Sequence, residues 1–293
     1  MKRALPVSRQ SSAPELPGVP PDENAARLIE FMRGRRVCVL TGAGTSTDSG
    51  IPDYRGSSTR HRKRNPVQFR PFVDDVRVRR RYWARAVIGW PRFRTVRPNP
   101  AHEALAQLEA AGVVDGLITQ NVDRLHHKAG SSDPLELHGA LAEVGCLDCH
   151  RLWCRDEVQA WMLALNPGFE DDGAESAPDG DAELPSELIE RFEVAACPAC
   201  GGVLKPRVVF FGENVPKPIV EEAWARWRRA NALLVVGSSL TVFSGYRFVK
   251  KAPLQGLPVA ILNLGPTRGD PLAELRLDAP VSQVLPKVAA ALA

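Results

Sequence analysis

The chain has 293 residues, 44% of them hydrophobic and 25% charged, with a formal net charge of +4, enough material for one large core and a smaller module, so two domains are expected. No apolar run approaches the roughly 20 residues that span a bilayer, and Met1–Gln10 lacks the apolar centre of a secretory signal, so the chain reads as cytoplasmic with no membrane partner; a mitochondrial location stays open if residues 1–24 are a transit peptide. The positive excess is mild and Arg supplies 30 of the 38 basic residues, which makes nucleic acid an unexpected partner.

Residues 1–24 are rich in Pro and Ser without an apolar period and read as a flexible tail. Helical spacing begins at Ala25 and runs to Met32, and Arg36–Leu40 is a short buried-strand run that ends in Gly42-Ala-Gly44. Residues 57–98 read as a helical insertion, since Arg60–Arg97 carries thirteen Lys or Arg against Asp74 and Asp75, interleaved with Phe69, Phe72, Tyr82, Trp83, Trp90 and Phe93. The simplest account of that pattern is a solvated face over an aromatic mini-core; a surface for an acidic partner is the alternative. Pro100–Ala111 reads as a helix, and Gly116–Thr119, Leu233–Val236 and Val259–Leu262 repeat the buried-strand form. Strands alternating with helices imply an α/β fold, a Rossmann-like doubly wound parallel sheet over residues 25–138 and 207–293. Residues 139–206 interrupt it as a separate module, within which 170–187 holds eight acids and no base and reads as a loop.

That module contains Cys146-Leu-Asp-Cys149 and Cys197-Pro-Ala-Cys200. A two-residue spacer lets both thiolates of a pair face one tetrahedral ion, so the four are expected to bind one structural Zn2+. Four thiolates close the coordination sphere and leave no position for substrate, so the chemistry lies elsewhere. Cys154 and His150 are nearby as alternative ligands, and Cys38 reads as a small core residue. Gly42-Ala-Gly44 after a strand resembles the opening of a dinucleotide fingerprint, but Thr47 stands where the third glycine belongs and no acid follows about 20 residues on. An ordinary Rossmann dehydrogenase fits poorly.

The longer motifs are Gly42-Ala-Gly-Thr-Ser-Thr-Asp-Ser-Gly-Ile-Pro-Asp-Tyr-Arg55, Thr119-Gln-Asn-Val-Asp123, Leu135-Glu-Leu-His-Gly139, Val208-Val-Phe-Phe-Gly-Glu213, Gly237-Ser-Ser239 and Asn263-Leu-Gly265. Together with the cysteine pairs they resemble the sirtuin family, in the family's order, over roughly residues 25–287. Tyr54 and Leu240-Thr-Val-Phe-Ser-Gly-Tyr-Arg247 resemble its class II branch.

The resemblance implies an NAD-dependent protein-lysine deacylase, a transferase that moves the acyl group to ADP-ribose and releases nicotinamide. The acyl oxygen attacks the ribose carbon that carries nicotinamide; a base then activates a ribose hydroxyl that closes onto the acyl carbon. By family position that base is His138, with Asn121 the second catalytic residue. An imidazole that titrates near pH 6.5 suits the task. Implied NAD contacts are Gly42, Ala43, Gly44, Ser46, Ile51, Pro52, Asp53, Tyr54, Arg55, Gln120, Asn121, Val122, Asp123, Gly237, Ser238, Ser239, Asn263, Leu264, Gly265 and Val281. An acyl-lysine peptide would add as a strand along Val209, Phe210, Phe211, Gly212 and Glu213 and beside Ser244 and Gly245. His126 and His127, on a helix after Asp123, are read as structural. Members that prefer acidic acyl groups carry a Tyr and an Arg just beyond the position of Arg55; Gly56–Arg62 has no such pair, although Arg60 and Arg62 keep the question open. Two rivals remain at this stage: a mono-ADP-ribosyltransferase using the same NAD site, and a zinc-ribbon nucleic-acid-binding protein.

Overall fold

The computed structural model describes residues 20–53, 66–169 and 184–293. Most of the N-terminal tail, the loop with Tyr54, Arg55, Arg60 and Arg62, and residues 170–183 of the acidic loop lie outside the described residues.

Helix α1 (Pro21–Met32) starts four residues before its apolar period, because Pro21 has the fixed φ of a first helical residue and Asp22 and Glu23 suit a positive helix end. The strands that follow are β1 (Val37–Thr41), β2 (Val114–Thr119) and β3 (Leu135–Glu136), and after the second module come β7 (Ala232–Val236), β8 (Val259–Leu262) and β9 (Leu275–Leu277). They form one sheet in the order β3-β2-β1-β7-β8-β9, parallel throughout. This is the doubly wound order, with its switch point between β1 and β7. The two faces alternate residue by residue. Val37, Val39, Leu234, Val236, Ala260 and Leu262 pack under α1, α4 (Pro100–Ala110) and α10 (Val281–Leu292). Cys38, Leu40, Leu233, Val235, Val259 and Ile261 pack under α8 (Lys217–Arg229) and α9 (Phe243–Lys251). Cys38 is a fully buried core residue, as its position in the apolar run suggests.

A second, antiparallel sheet has β4 (Gly139–Cys146) between β5 (Leu152–Cys154) and β6 (Leu204–Val208). Its core also takes in α2 (Phe69–Asp74), α3 (Val76–Phe93) and α6 (Arg155–Leu165), so the basic insertion and the cysteine-bearing segment share one apolar cluster. Phe72, Tyr82, Trp83, Trp90 and Phe93 are buried in it. The Arg155 guanidinium, also buried, lies 5.3 Å from the Trp83 ring and 5.2 Å from the Trp90 ring and donates to the Ala86 carbonyl and to Gln159. The remaining helices, α5 (Leu125–Lys128) and α7 (Ser186–Arg191), are short connectors. No described helix is long and apolar enough to cross a membrane.

The chain first passes from one sheet to the other at His138-Gly139. β3 ends at Glu136, and two residues later His138-Gly139 opens β4. Gly139 has φ +75°, and a Cβ there would stand 1.9 Å from the Arg207 carbonyl oxygen. Gly130, with φ +94°, has open space around it. Gly130→Ala should therefore cost only the left-handed penalty of roughly 1–2 kcal/mol, whereas Gly139→Ala adds an overpacked backbone contact and should cost about 3 kcal/mol or more. Urea unfolding of the two variants checks this; equal losses would contradict the close approach at Gly139.

Candidate active site

A cavity of about 1470 Å³ opens at the carboxyl ends of β1 and β7, between the two sheets. Ligands of open α/β sheets bind at this switch point, and the volume exceeds the 300–1,000 Å³ of an ordinary small-molecule pocket. Its floor is two turns pressed together. Gly42 N–H donates to Val236 O at 3.0 Å and Gly44 N–H to Gly237 O at 2.8 Å. A Cβ on Gly42 would meet Ser238 at 2.7 Å, and one on Gly237 (φ +58°) would meet Thr45 N at 2.3 Å. Side chains larger than hydrogen are excluded there, so the two turns bring bare backbone to the cavity floor.

Of the catalytic, NAD and peptide residues expected from the sequence, every described one lines this cavity except Gly245. Gly245 sits in the first turn of α9 and supports the wall, since a Cβ there would lie 2.3 Å from Gln120 Oε1. Ile51, Pro52 and Asp53 lead into the undescribed loop that holds Tyr54 and Arg55. At the far end Asn263 donates to the Leu264 and Gly265 carbonyls, each at 2.9 Å, and so shapes the turn after β8 that faces Val281.

Asn121 and Asp123 are both buried at the cavity wall. Asn121 Nδ2 donates to Gly42 O and to Ser46 Oγ, each at 3.0 Å, and Ser46 Oγ donates to Asp123 Oδ2 at 2.7 Å. Burial raises the Asp123 carboxyl above the usual carboxylate range, opposed by hydrogen bonds from Leu125 N–H and Ser46. Gln120 Nε2 donates to Thr41 O at 3.1 Å and Ser238 Oγ at 3.0 Å. Half-buried His138 has Nδ1 2.9 Å from Gln120 O and Nε2 2.7 Å from Ser244 Oγ. Burial lowers its pKa to about 4; the Gln120 hydrogen bond opposes this and the Arg247 charge reinforces it. The ring is neutral at cellular pH.

Three residues of this region escaped sequence reasoning. His102 is fully buried on α4; its Nδ1 accepts from Asn99 N–H at 3.3 Å, so Nε2 carries the proton and faces Ser46 Oγ at 3.4 Å, steadying the serine that holds Asp123. The capping sequence Asn99-Pro-Ala-His102 is a signal that could have found it. Lys205 is 6% exposed, pairs with Glu213 at 2.9 Å and lies 4.5 Å from the Phe210 ring, pinning the Val208–Glu213 wall from beneath. A lysine in a strand gives no such signal. Arg247, one turn into α9, also lines the cavity. His126 is buried behind the site, its Nε2 3.0 Å from Thr41 Oγ1 and its ring tilted against that of His102 with centroids 4.9 Å apart, and neither it nor His127 lines the cavity.

The Sγ atoms of Cys146, Cys149, Cys197 and Cys200 all lie within 4.8 Å of one another, Cys146 and Cys200 at 3.5 Å and Cys149 and Cys197 at 3.8 Å. A tetrahedron with zinc–sulfur bonds of about 2.3 Å has edges of about 3.8 Å, and a disulfide would need about 2.05 Å. The four thiols therefore fit one zinc ion and not two disulfides. The knuckles interlock: Asp148 accepts from Val203 N–H at 2.9 Å, and Gly202 leaves the room that Asp148 fills. Cys154 instead caps the N-terminus of α6.

Burial also depresses His102 to about 4 and drives His126 well below its ordinary value of 6.5. A histidine that ionises at 6.5 unfolded and near 4 folded binds protons preferentially in the unfolded state across that window. Its contribution is complete above pH 6.5 and is lost as pH falls toward 4. Asp123, raised by burial, acts in the opposite sense. Urea unfolding between pH 7.5 and 4.5 should show stability falling with an uptake of more than one proton, and His102→Gln should flatten the slope; a slope unchanged in that variant would contradict the assignment.

A model described as the Sir2 family matches residues 42–244. An NAD-dependent protein deacetylase of Xanthomonas campestris pv. campestris (strain 8004) is 52% identical over 259 residues, 88% of each chain. The NAD-dependent protein deacylase Sirt4 of Drosophila melanogaster is 46% identical over 271 residues, 91% of this chain and 87% of its own. A solved structure of Sir2 with a p53 peptide and NAD+ aligns with a TM-score of 0.70 at 29% identity, covering 89% of this chain and 95% of that one. With this match to its model and relatives of this identity, the chain belongs to the Sir2 family, the sirtuins.

Proposed function

We propose that the protein is an NAD-dependent protein-lysine deacylase that transfers the acyl group from lysine to ADP-ribose with release of nicotinamide. The observation that carries this is a neutral His138 whose Nε2 faces a cavity also lined by Asn121 and Asp123. The glycine-floored switch-point cavity fits a dinucleotide, and NAD when bound supplies the activated ribose carbon that accepts the acyl group.

In this reading the Gly42–Ser46 turn receives the pyrophosphate, and Ser238, Ser239, Asn263, Leu264, Gly265 and Val281 hold the adenosine half. Gln120 reaches a ribose hydroxyl. Asn121 and Asp123 orient the nicotinamide ribose and its carboxamide, an amide and a carboxyl together matching donors and acceptors. Asp53 contacts the cofactor, as do Tyr54 and Arg55 outside the described residues. His138 is the base for the ribose hydroxyl proton, which requires the neutral ring. The acyl-lysine peptide lies along Val209–Glu213 and beside Ser244 and Gly245; the Phe211 carbonyl already accepts from Phe69 N–H and the Val209 N–H already donates to His138 O, each at 2.9 Å, which leaves Gly212 and the Val209 carbonyl as the nearest backbone partners. A Sir2 neighbour bound to a propionylated peptide, 30% identical with a TM-score of 0.70 over 90% of this chain and 96% of its own, supports acyl groups beyond acetyl.

Residues 25–138 and 207–293 act as the NAD-binding unit, and 139–206 as the zinc module bracing one cavity wall. Tyr54, the Leu240–Arg247 segment and the identity with the Drosophila deacylase support the class II branch.

His138→Tyr should lower acyl-lysine turnover by at least about 100-fold, the scale of a lost general base, with zinc content and fold unchanged; mass spectrometry of the peptide reads this, and undiminished turnover would overturn the proposal. Cys197→Ala should lose zinc, thermal stability and turnover together. A zinc-free variant with full activity would contradict the bracing role.

A further inference from the structure

The one nitrogen that His138 offers to the cavity is already engaged. Nδ1 lies 2.9 Å from the Gln120 carbonyl oxygen; a carbonyl only accepts, so Nδ1 carries the ring proton and Nε2 the lone pair. Ser244 Oγ, 2.7 Å away, therefore donates its proton to Nε2. An imidazole nitrogen has a single in-plane lone pair. A second hydroxyl cannot pass a proton to Nε2 while the serine holds it.

The serine is built into this place. It stands in the first turn of α9 (Phe243–Lys251), followed at once by Gly245. Glycine is a poor helix former, and its presence here has a steric reason: a Cβ would lie 2.3 Å from Gln120 Oε1. The Gln120 side chain cannot yield freely, because Thr41 O and Ser238 Oγ both accept from it. On the other side Arg247 Nε donates to the Ser244 carbonyl at 2.9 Å. The ring of His138 is thus clamped between the Gln120 main chain and the first turn of α9, with the serine hydroxyl on Nε2 and both residues lining the cavity.

We propose that Ser244 is a catalytic residue whose hydroxyl relays the proton from the ribose hydroxyl of the co-substrate to His138 Nε2. The step balances: the ribose O–H breaks and its proton moves to Ser244 Oγ, while the serine's own proton moves to Nε2. The ribose oxygen keeps the electron pair and bonds to the acyl carbon, whose double bond to the lysine nitrogen opens so that its π pair passes to that nitrogen. Serine ends neutral and unchanged, and the ring ends as imidazolium. The inference rests on the deacylase reading above, in which the base acts only after nicotinamide has left.

That order supplies the test. The full chain, Ser244→Ala and Ser244→Thr are assayed for acyl-lysine turnover and for exchange of labelled nicotinamide into NAD, and the His138 ring nitrogens are followed by 15N NMR in the substrate-free protein. The relay predicts that Ser244→Ala, at saturating peptide, lowers kcat for deacylation 10- to 100-fold more than it lowers exchange, an effect on the scale of general acid–base catalysis. Ser244→Thr, which keeps the hydroxyl, recovers most of the lost rate. The Nε2 resonance of Ser244→Ala shifts toward that of a lone pair without a donor, and Nδ1 remains protonated. Undiminished or faster deacylation in Ser244→Ala would overturn the relay and make the serine a cap that substrate displaces. Equal loss of exchange and deacylation would overturn it in favour of a structural role, and an unmoved Nε2 resonance would deny the hydrogen bond itself. Failure of His138→Ala to impair deacylation would instead remove the base, and with it the reading on which the relay rests.

Discussion

The close approach of Gly139 to the Arg207 carbonyl decides where everything else can sit. At that point the chain leaves the parallel sheet and enters the antiparallel one, and there is no room for a side chain. Leu137 N–H still donates to Thr119 O in the first sheet, while His138 O accepts from Val209 N–H of the second. His138 is therefore held by both lobes at once. Its ring faces the gap between them, and that gap is the cavity. The same strand, β4, then carries the chain to Cys146, so the junction, the base and the first cysteine of the cluster share one short piece of backbone.

Around the junction the buried polar groups are joined by hydrogen bonds. His102 donates to Ser46, Ser46 donates to Asp123, and Asn121 donates to Ser46 and Gly42. A partly satisfied buried network is costly, and a complete one rigidifies its members. The network thus explains how a buried carboxyl can be tolerated at a cavity wall, with its lone pairs directed and its serine held from behind. Burial that would penalise a charged imidazole also fixes His138 as a base rather than an acid at cellular pH.

The sheet was legible where strands are buried on both faces: the apolar runs at 36–40, 116–119, 233–236 and 259–262 fall on β1, β2, β7 and β8. Strands of two or three residues, β3, β5 and β9, are too short to show a period, and helix α1 begins at prolines that read as tail. The spacing of the cysteines announced their cluster because metal geometry acts through local sequence. The motif residues converge on one cavity, yet their partners did not show. His102, Lys205 and the Ser244 hydroxyl act through contacts that tertiary packing creates, 56 positions apart in the case of Ser46 and His102 and 106 in the case of Ser244 and His138. Nor did composition reveal that the aromatic insertion and the cysteine module share one core, since neither segment carries a mark of the other.

The central claim is that this junction performs acyl transfer to ADP-ribose. It is tested most directly by incubating the full chain with NAD and an acetyl-lysine peptide and counting products by mass spectrometry. The account predicts one nicotinamide and one acetyl-ADP-ribose for each lysine freed. Nicotinamide released with ADP-ribose attached to protein, and the lysine still acetylated, would contradict it.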